Sequence, residues 1–265
     1  MLSDVADGVC TLTLNAPHKR NALSSSLMGA LRAGLADAEA RDDVRVVVLA
    51  ANGPVFCSGH DLKEMRSLQE ASAFQQTGSD ITPDPRIGAL FAQCSKLMLA
   101  IGRLRQPVVA KVGGVATAAG CQLVASCDLA VAAGSATFAT PGVHIGLFCS
   151  TPAVALSRAV GRKAAMGMLL TGAPVSADEA VAQGLINRAV PAGELDACVA
   201  ELAATIASKP PLALEVGKAA FYEQLAMADL EEAYAASSQV MTDNLVRGEA
   251  REGIGAFLEK RKPNW

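Results

Sequence analysis

Apolar residues along this chain follow two spacings that take turns. In GVCTLTLN (8–15), Cys10, Leu12 and Leu14 alternate with Thr11 and Thr13, the period of a half-buried strand. VRVVVLAA (44–51) is a nearly unbroken β-branched run and predicts a strand buried on both faces. PVVAKV (107–112), DLAVAA (128–133) and the shorter ATFAT (136–140) and INRAV (186–190) read the same way. Helical spacing fills the gaps. Ser24 is placed to cap a helix running to Glu39, and Leu90, Leu97, Ile101 and Leu104 define the apolar face of another from Pro85 to Arg105. Residues 66–86 are polar and show no period, so a loop is expected there. Beyond Ser150 helices dominate, one opened by the capping box Ser176-Ala-Asp-Glu179, and from Glu194 onward only helices are expected.

The pattern divides the chain into an α/β part, residues 1–190, and a helical part, residues 191–265. The helical part is rich in Ala, Leu and Met. It reads equally as an oligomerisation element or as a cover over the chain's own core.

Composition narrows the function. The chain has 265 residues, 51% of them hydrophobic, enough for one sizeable core. A net charge of −3 gives no electrostatic footprint for nucleic acid. No apolar run reaches the ~18–20 residues of a membrane span. Seven cysteines, at 10, 57, 94, 121, 127, 149 and 198, form no C-x-x-C pair and mostly lie in apolar segments, as reduced core thiols do. The first expected strand begins almost at the N-terminus, leaving no space for a leader peptide. Both features predict a cytoplasmic protein. His18, His60 and His144 show no ligand spacing to one another or to cysteine, so no metal site and no tightly bound cofactor are expected.

Two corners carry candidate chemistry. CSGHD (57–61) and TAAGCQ (117–122) each follow an expected buried strand, and each is built of small residues. The first N–H groups of a helix have no intrahelical partner. Two such amides converging from strands in neighbouring layers would form an oxyanion hole, and loss of one donor typically costs ~2.7–4 kcal/mol of transition-state stabilisation.

Five segments occur in order along nearly the whole chain: LNAPHKRNALS (14–24), FCSGHDLKEM (56–65), TAAGCQLVASCDLAVA (117–132), GRKAAMGMLLTG with VSADEAVAQGLIN (161–187), and AFLEKRKP (256–263). Together they resemble the enoyl-CoA hydratase/isomerase (crotonase) superfamily. The resemblance implies a spiral of ββα units followed by C-terminal helices that build a homotrimer, often paired into a hexamer. It implies an acyl-CoA thioester as ligand, so that coenzyme A arrives as part of the substrate. The oxyanion donors would be the amides of His60 and Ala119. Ser58, His60, Asp61, Leu62 and Lys63 would line the CoA arm, flanked by Ala22 and Leu23. Phe257 and Lys260 match C-terminal contacts to the nucleotide end, in some members made by a neighbouring subunit.

The pattern breaks at the two acids. Hydratases of this family use a glutamate three residues beyond the oxyanion residue and a second one after a proline. Those positions here are Gln122 and Gly142. An amide does not deprotonate water near neutral pH, and each general acid–base group is typically worth ~10²–10⁴ in rate. Efficient enoyl-CoA hydration is therefore expected to be absent.

Other groups carry alternatives. Gln122 either hydrogen-bonds a water or the acyl group, or ties its helix to a neighbouring loop. His144 replaces a missing base if its ring faces the pocket, and is structural otherwise. Cys121, at an expected helix start, is the best placed of Cys57, Cys121 and Cys149 to become a thiolate; as small core filler it needs no special environment. Asp80 and Asp84 close over the pocket if their segment is a lid, and are solvated loop acids if not. Lys63, Arg66, Arg103 and Arg105 are candidate phosphate contacts or a plain solvated face. Three functions stay open: an enzyme on acyl-CoA esters, an acyl-CoA-binding protein without turnover, and a scaffold subunit.

Overall fold

A computed structural model describes residues 1–73 and 84–265 of the chain. Two parallel-rich sheets are filled alternately by the sequence. The N-terminus opens with β1 (Leu2–Ala6) and β2 (Val9–Leu14), an antiparallel pair, followed by α1 (Ser25–Glu39). Then come strand pairs: β3 (Val46–Ala51) and β4 (Val55–Cys57) before α2 (Leu62–Ala73) and α3 (Pro85–Arg103); β5 (Val108–Val112) and β6 (Val115–Thr117) before α4 (Ala119–Ala125); β7 (Leu129–Ala133) and β8 (Thr137–Ala139) before α5 (Ser150–Ala159) and α6 (Arg162–Thr171). The first strand of each pair joins a six-stranded sheet, ordered β1-β2-β3-β5-β7-β10. The second joins a four-stranded sheet, ordered β4-β6-β8-β9. Here β9 is Val175–Ser176 and β10 is Arg188–Val190, separated by α7 (Ala177–Gln183). This is the expected α/β spiral of ββα units.

The periodicities explain the burial. Along β2, Cys10, Leu12 and Leu14 are buried while the residues between are half-buried, and β3 is buried along almost its whole length. Ser24 caps α1 by accepting from the Leu27 amide, and the capping box at Ser176 and Glu179 is present. Leu27, Leu31 and Leu35 of α1 share one core with Leu90, Leu97 and Ile101 of α3. Fully burying each such side chain is worth ~1.5–3 kcal/mol.

Three elements differ from expectation. LSDVA pairs with β2 as β1, although it is mostly exposed and so lacks the apolar signature of a strand. Of the loop expected over 66–86, residues 66–73 are helical, residues 74–83 lie outside the described residues, and Pro85 opens the helix expected there. Polar residues there reflect α2's exposed outer face. VAT is a strand, β6, too short to show a period.

Four helices follow: α8 (Leu195–Ala207), α9 (Pro211–Gln224), α10 (Leu230–Leu245) and α11 (Gly248–Leu258). The first lays Leu195, Val199 and Ala203 against Val46, Val48, Val109 and Val131 of the large sheet. The remaining three bury little: α9 has no buried residue, α10 only Ala233 and α11 only Ala256. The strongest tie of α9 to the core is polar. Lys218 pairs with Asp128 at 2.7 Å and donates to the Ile101 and Gln106 carbonyls, while the Tyr222 hydroxyl donates to Asp128 at 2.7 Å.

Candidate functional site

Strands β4, β6 and β8 run parallel as neighbours in the small sheet, so all three deliver their C-terminal ends to one edge. The two candidate corners are thus adjacent turns of a single sheet, not turns from neighbouring layers as the sequence suggested. Ligands in parallel sheets gather at this edge because the following turns and helix starts open there.

The corners touch. Gly59 has φ +88°, and a Cβ added to it would lie 2.9 Å from the Ala118 Cβ and 3.4 Å from the Ala119 nitrogen. A Cβ on Gly120 would overlap the Cys57 carbonyl. Small residues are required at both corners because their backbones pass at van der Waals contact. Ala118 holds φ 49°, ψ −118°, a region an L-residue adopts only under constraint. Its amide donates to the Ala139 carbonyl at 2.8 Å, which pins the turn to β8.

Two amides are left over. Leu23 bridges the first corner, donating to the Gly59 carbonyl at 2.7 Å and accepting from Asp61, so it takes the groups on either side of His60. Ala119 is the first residue of α4, where an N–H has no intrahelical acceptor. Among the described residues neither the His60 nor the Ala119 amide donates to a protein acceptor. Both residues line the same cavity of about 520 Å³.

The opposite wall runs from Pro141 to Pro152. Its apolar side chains are largely open: Ile145, Leu147 and Phe148 are 58%, 48% and 47% exposed. Leu62, Met65 and Phe91 also line the cavity. No carboxylate lines the cavity among the described residues. Glu64, beside Met65, accepts from both the amide and the hydroxyl of Ser25, tying α2 to the start of α1.

The two positions that bear glutamates in hydratases fare differently. Gln122 is 4% exposed and lies outside this cavity. Its Oε1 faces the Cys94 thiol at 3.9 Å, and with Arg103 it lines a separate cavity of about 460 Å³ beside α3. The side-chain contact it makes is with a helix, α3, and not with a neighbouring loop. Gly142 does line the main cavity, yet a Cβ there would sit 2.6 Å from the Leu147 carbonyl and 2.8 Å from the Cys149 sulfur. The chain returning over Gly142 has taken the space of a side chain.

Titratable groups on the cavity are few. The His60 ring packs edge-on against Phe91, with centroids 5.5 Å apart. Both ring nitrogens are buried without a hydrogen-bond partner. Burial pushes its pKa down, opposed weakly by the Leu23 carbonyl, which lies near the ring outside bonding geometry, and by the Glu64 charge. His144 also lines the cavity, its Nε2 2.9 Å from the Thr171 carbonyl. Burial pushes Cys57 and Cys121 up to about 12 and also raises Cys149, which opposes thiolate formation at all three. The case for a Cys121 thiolate fails because the α4 start is sealed under the first corner.

Of the remaining sequence-predicted residues, Ser58 and Leu62 line the cavity. Leu23 is buried beneath it and Ala22 adjoins. Asp61 points away, accepting from the Lys63 amide and facing Lys19 at 4.0 Å. The Lys63 side chain is exposed at the start of α2 and has no carboxylate partner among the described residues. Arg66 pairs with Glu70, and Arg105 with Asp42 and two carbonyls, so neither faces the cavity. Phe257 (83% exposed) and Lys260 lie at the end of α11, away from the cavity within one chain. Asp84 caps α3 and pairs with Arg86 rather than belonging to a loop, while Asp80 lies outside the described residues. Met65, Phe91 and Phe148 were not anticipated. Only the apolar stretch around Phe91 hinted at them, and a core helix face reads identically.

Alternating ββα units with two small-residue corners on one parallel edge define a recognisable class of α/β fold, and sequence comparison says which family this chain falls in. The enoyl-CoA hydratase/isomerase family description matches residues 4–265, and the chain belongs to that family. Mouse enoyl-CoA hydratase domain-containing protein 3, mitochondrial, is 47% identical over 259 residues, covering 98% of this chain and 82% of that protein. A crystal structure titled enoyl-CoA hydratase from Mycobacterium smegmatis superposes with a TM-score of 0.90 at 49% identity, covering 100% of this chain and 98% of its own. The human domain-containing protein 3 structure gives the same TM-score at 46% identity, covering 100% and 99%. No helix among the described residues is long and apolar enough to cross a membrane.

Proposed function

We propose that this protein binds an acyl-CoA thioester with its carbonyl oxygen between the His60 and Ala119 amides, and that it does not hydrate enoyl-CoA at the rates its family name implies. One observation carries the reading: two unpartnered amides from touching corners open onto an apolar cavity that no described carboxylate lines. The amides supply polarisation of a thioester carbonyl, which a backbone donor pair does without side-chain chemistry. Nothing at Gln122 or Gly142 supplies the proton transfers that add water across a double bond. Lys63, free of a carboxylate partner among the described residues, suits a CoA phosphate beyond the cavity mouth. The exposed apolar faces of α9, α10 and α11, including Phe221, Tyr234, Met241 and Phe257, support assembly through the C-terminal helices into a trimer or a pair of trimers.

Calorimetric titration with acetyl-CoA and crotonyl-CoA tests the binding, and absence of heat with both esters would leave only a scaffold role. A crotonyl-CoA hydration assay tests the chemistry, with turnover at least ~10²-fold below a two-glutamate hydratase expected. The pair Gln122→Glu and Gly142→Glu is expected to restore nothing. The first side chain faces α3, and the second displaces the Leu147 carbonyl. Light scattering reads the assembly, a monomer refuting it. The same reading puts the chain in the reducing cytoplasm, with all seven cysteines as free thiols. Cell fractionation checks that, and recovery with mitochondria, where the vertebrate relatives are named to reside, would overturn it.

A further inference from the structure

We propose that His144 is the proton-transfer group of this site, its Nδ1 removing a proton from the carbon next to the thioester carbonyl. This rests on the acyl-CoA reading above and adds the base that reading lacks. Among the described residues three titratable side chains line the cavity: His60, His144 and Cys149. The Cys149 thiol keeps its proton, raised by burial. The His60 ring is closed in against Phe91 with neither nitrogen bonded. His144 is set differently. Its Nε2 lies 2.9 Å from the Thr171 carbonyl, and a carbonyl only accepts, so Nε2 carries the hydrogen. The neutral ring must then present Nδ1 as a lone pair, and among the described residues no protein donor occupies it.

The acceptor is well chosen for a base. Thr171 is the last residue of α6, a helix of 10 residues, and its carbonyl is one of the orphans at that end. The bond it accepts from Nε2 fixes the orientation and the tautomer of the ring. Gly172 takes φ +65° to close the helix, and a Cβ there would lie 2.9 Å from Nε2, so the turn leaves the ring its seat. In the step, the α C–H bond breaks and an N–H bond forms at Nδ1. The freed pair moves onto the carbonyl oxygen as an enolate held by the His60 and Ala119 amides. Returning the proton to the α carbon gives exchange. With a 3-enoyl thioester, returning it to the γ carbon moves the double bond into conjugation. Neither outcome consumes water or an oxidant.

The experiment is deuterium incorporation at the α carbon of hexanoyl-CoA in D₂O, followed by mass spectrometry, with calorimetry of hexanoyl-CoA binding alongside. The wild-type protein is expected to accelerate exchange over the protein-free ester. His144→Gln keeps an amide N–H for the Thr171 carbonyl but has no basic nitrogen, so it is expected to lose ~10²-fold or more while binding stays within about twofold. Added imidazole should restore part of the exchange in His144→Ala. Exchange by His144→Gln at the wild-type rate, or binding without exchange in the wild type, would overturn His144 as the base and leave acyl-CoA binding standing. Absence of binding overturns both.

Discussion

The two walls of the cavity are built on opposite terms. The corner wall, Cys57 to His60 and Thr117 to Gly120, is nearly all backbone and small side chains, closed to within van der Waals contact and held in uncommon backbone conformations. The far wall, Pro141 to Pro152, is a short turn carrying large apolar side chains that stand open. The contrast separates two tasks. Donors aimed at a developing negative charge are useful only if they cannot relax, which demands tight packing. A wall that accepts an apolar chain needs no fixed polar geometry. Neither glutamate position puts a side chain into the cavity: Gln122 faces α3, and Gly142 has no room for a Cβ.

The corner wall should therefore break first and hardest. Gly120→Ala drives a methyl into the Cys57 carbonyl, which belongs to a buried strand and has nowhere to go. We expect a loss of at least ~1–3 kcal/mol, in line with overpacking, or failure to fold, read by chemical denaturation. Gly146→Ala is the matched change on the far wall, where a Cβ meets nothing within 4 Å and only the φ of +76° is penalised. Equal losses at the two sites would end the distinction.

The thiols sharpen the comparison through pH. Cys57 and Cys121 lie under the corners, Cys94 just behind, and burial raises them to about 12, about 12 and about 11 from an ordinary 9.0. The folded state holds these protons more tightly than the unfolded chain, so their contribution is fully present below pH 9 and is lost as pH rises from there. By linkage each thiol costs ~1 kcal/mol at pH 10 relative to pH 8. Thermal melting should be flat between pH 7 and 8.5 and fall steeply above 9, less so in Cys121→Ala. His60 gives the opposite limb. Its lowered pKa means the unfolded state binds its proton first, so stability falls as pH drops below 6.5. Alkylation under native conditions should reach half-buried Cys198 before any corner thiol.

How much of this was legible depended on whether a residue acts through its neighbours in sequence. Ser24, the capping box at Ser176 and the α/β alternation were readable because caps and periods are local. The corners were readable because small residues at a strand end have few other uses. Gln122 was readable as a missing acid but not as a residue facing α3, since that depends on which face of a seven-residue helix meets the cavity. Gly142 showed the same limit: the Leu147 carbonyl that fills its place lies in a turn with no pattern. β1 was missed because pairing with β2, rather than burial, makes it a strand.

The smallest effect tests the least obvious feature. Ala118 holds φ 49°, ψ −118°, a conformation that costs ~1–3 kcal/mol for residues with a Cβ. Glycine adopts it freely but loses ~0.4–1 kcal/mol through a more disordered unfolded chain. The two nearly offset, so Ala118→Gly should leave stability unchanged or raise it by up to ~1 kcal/mol. Alanine to glycine at an ordinary buried position would destabilise. The substitution also removes the methyl that faces Gly59, loosening the contact between the corners. If the amides work by being held still, Ala118→Gly should weaken binding of the thioester while the protein melts no earlier. A variant that melts earlier and binds as before would mean that Ala118 is not strained and that the corner's rigidity is incidental to its two free donors.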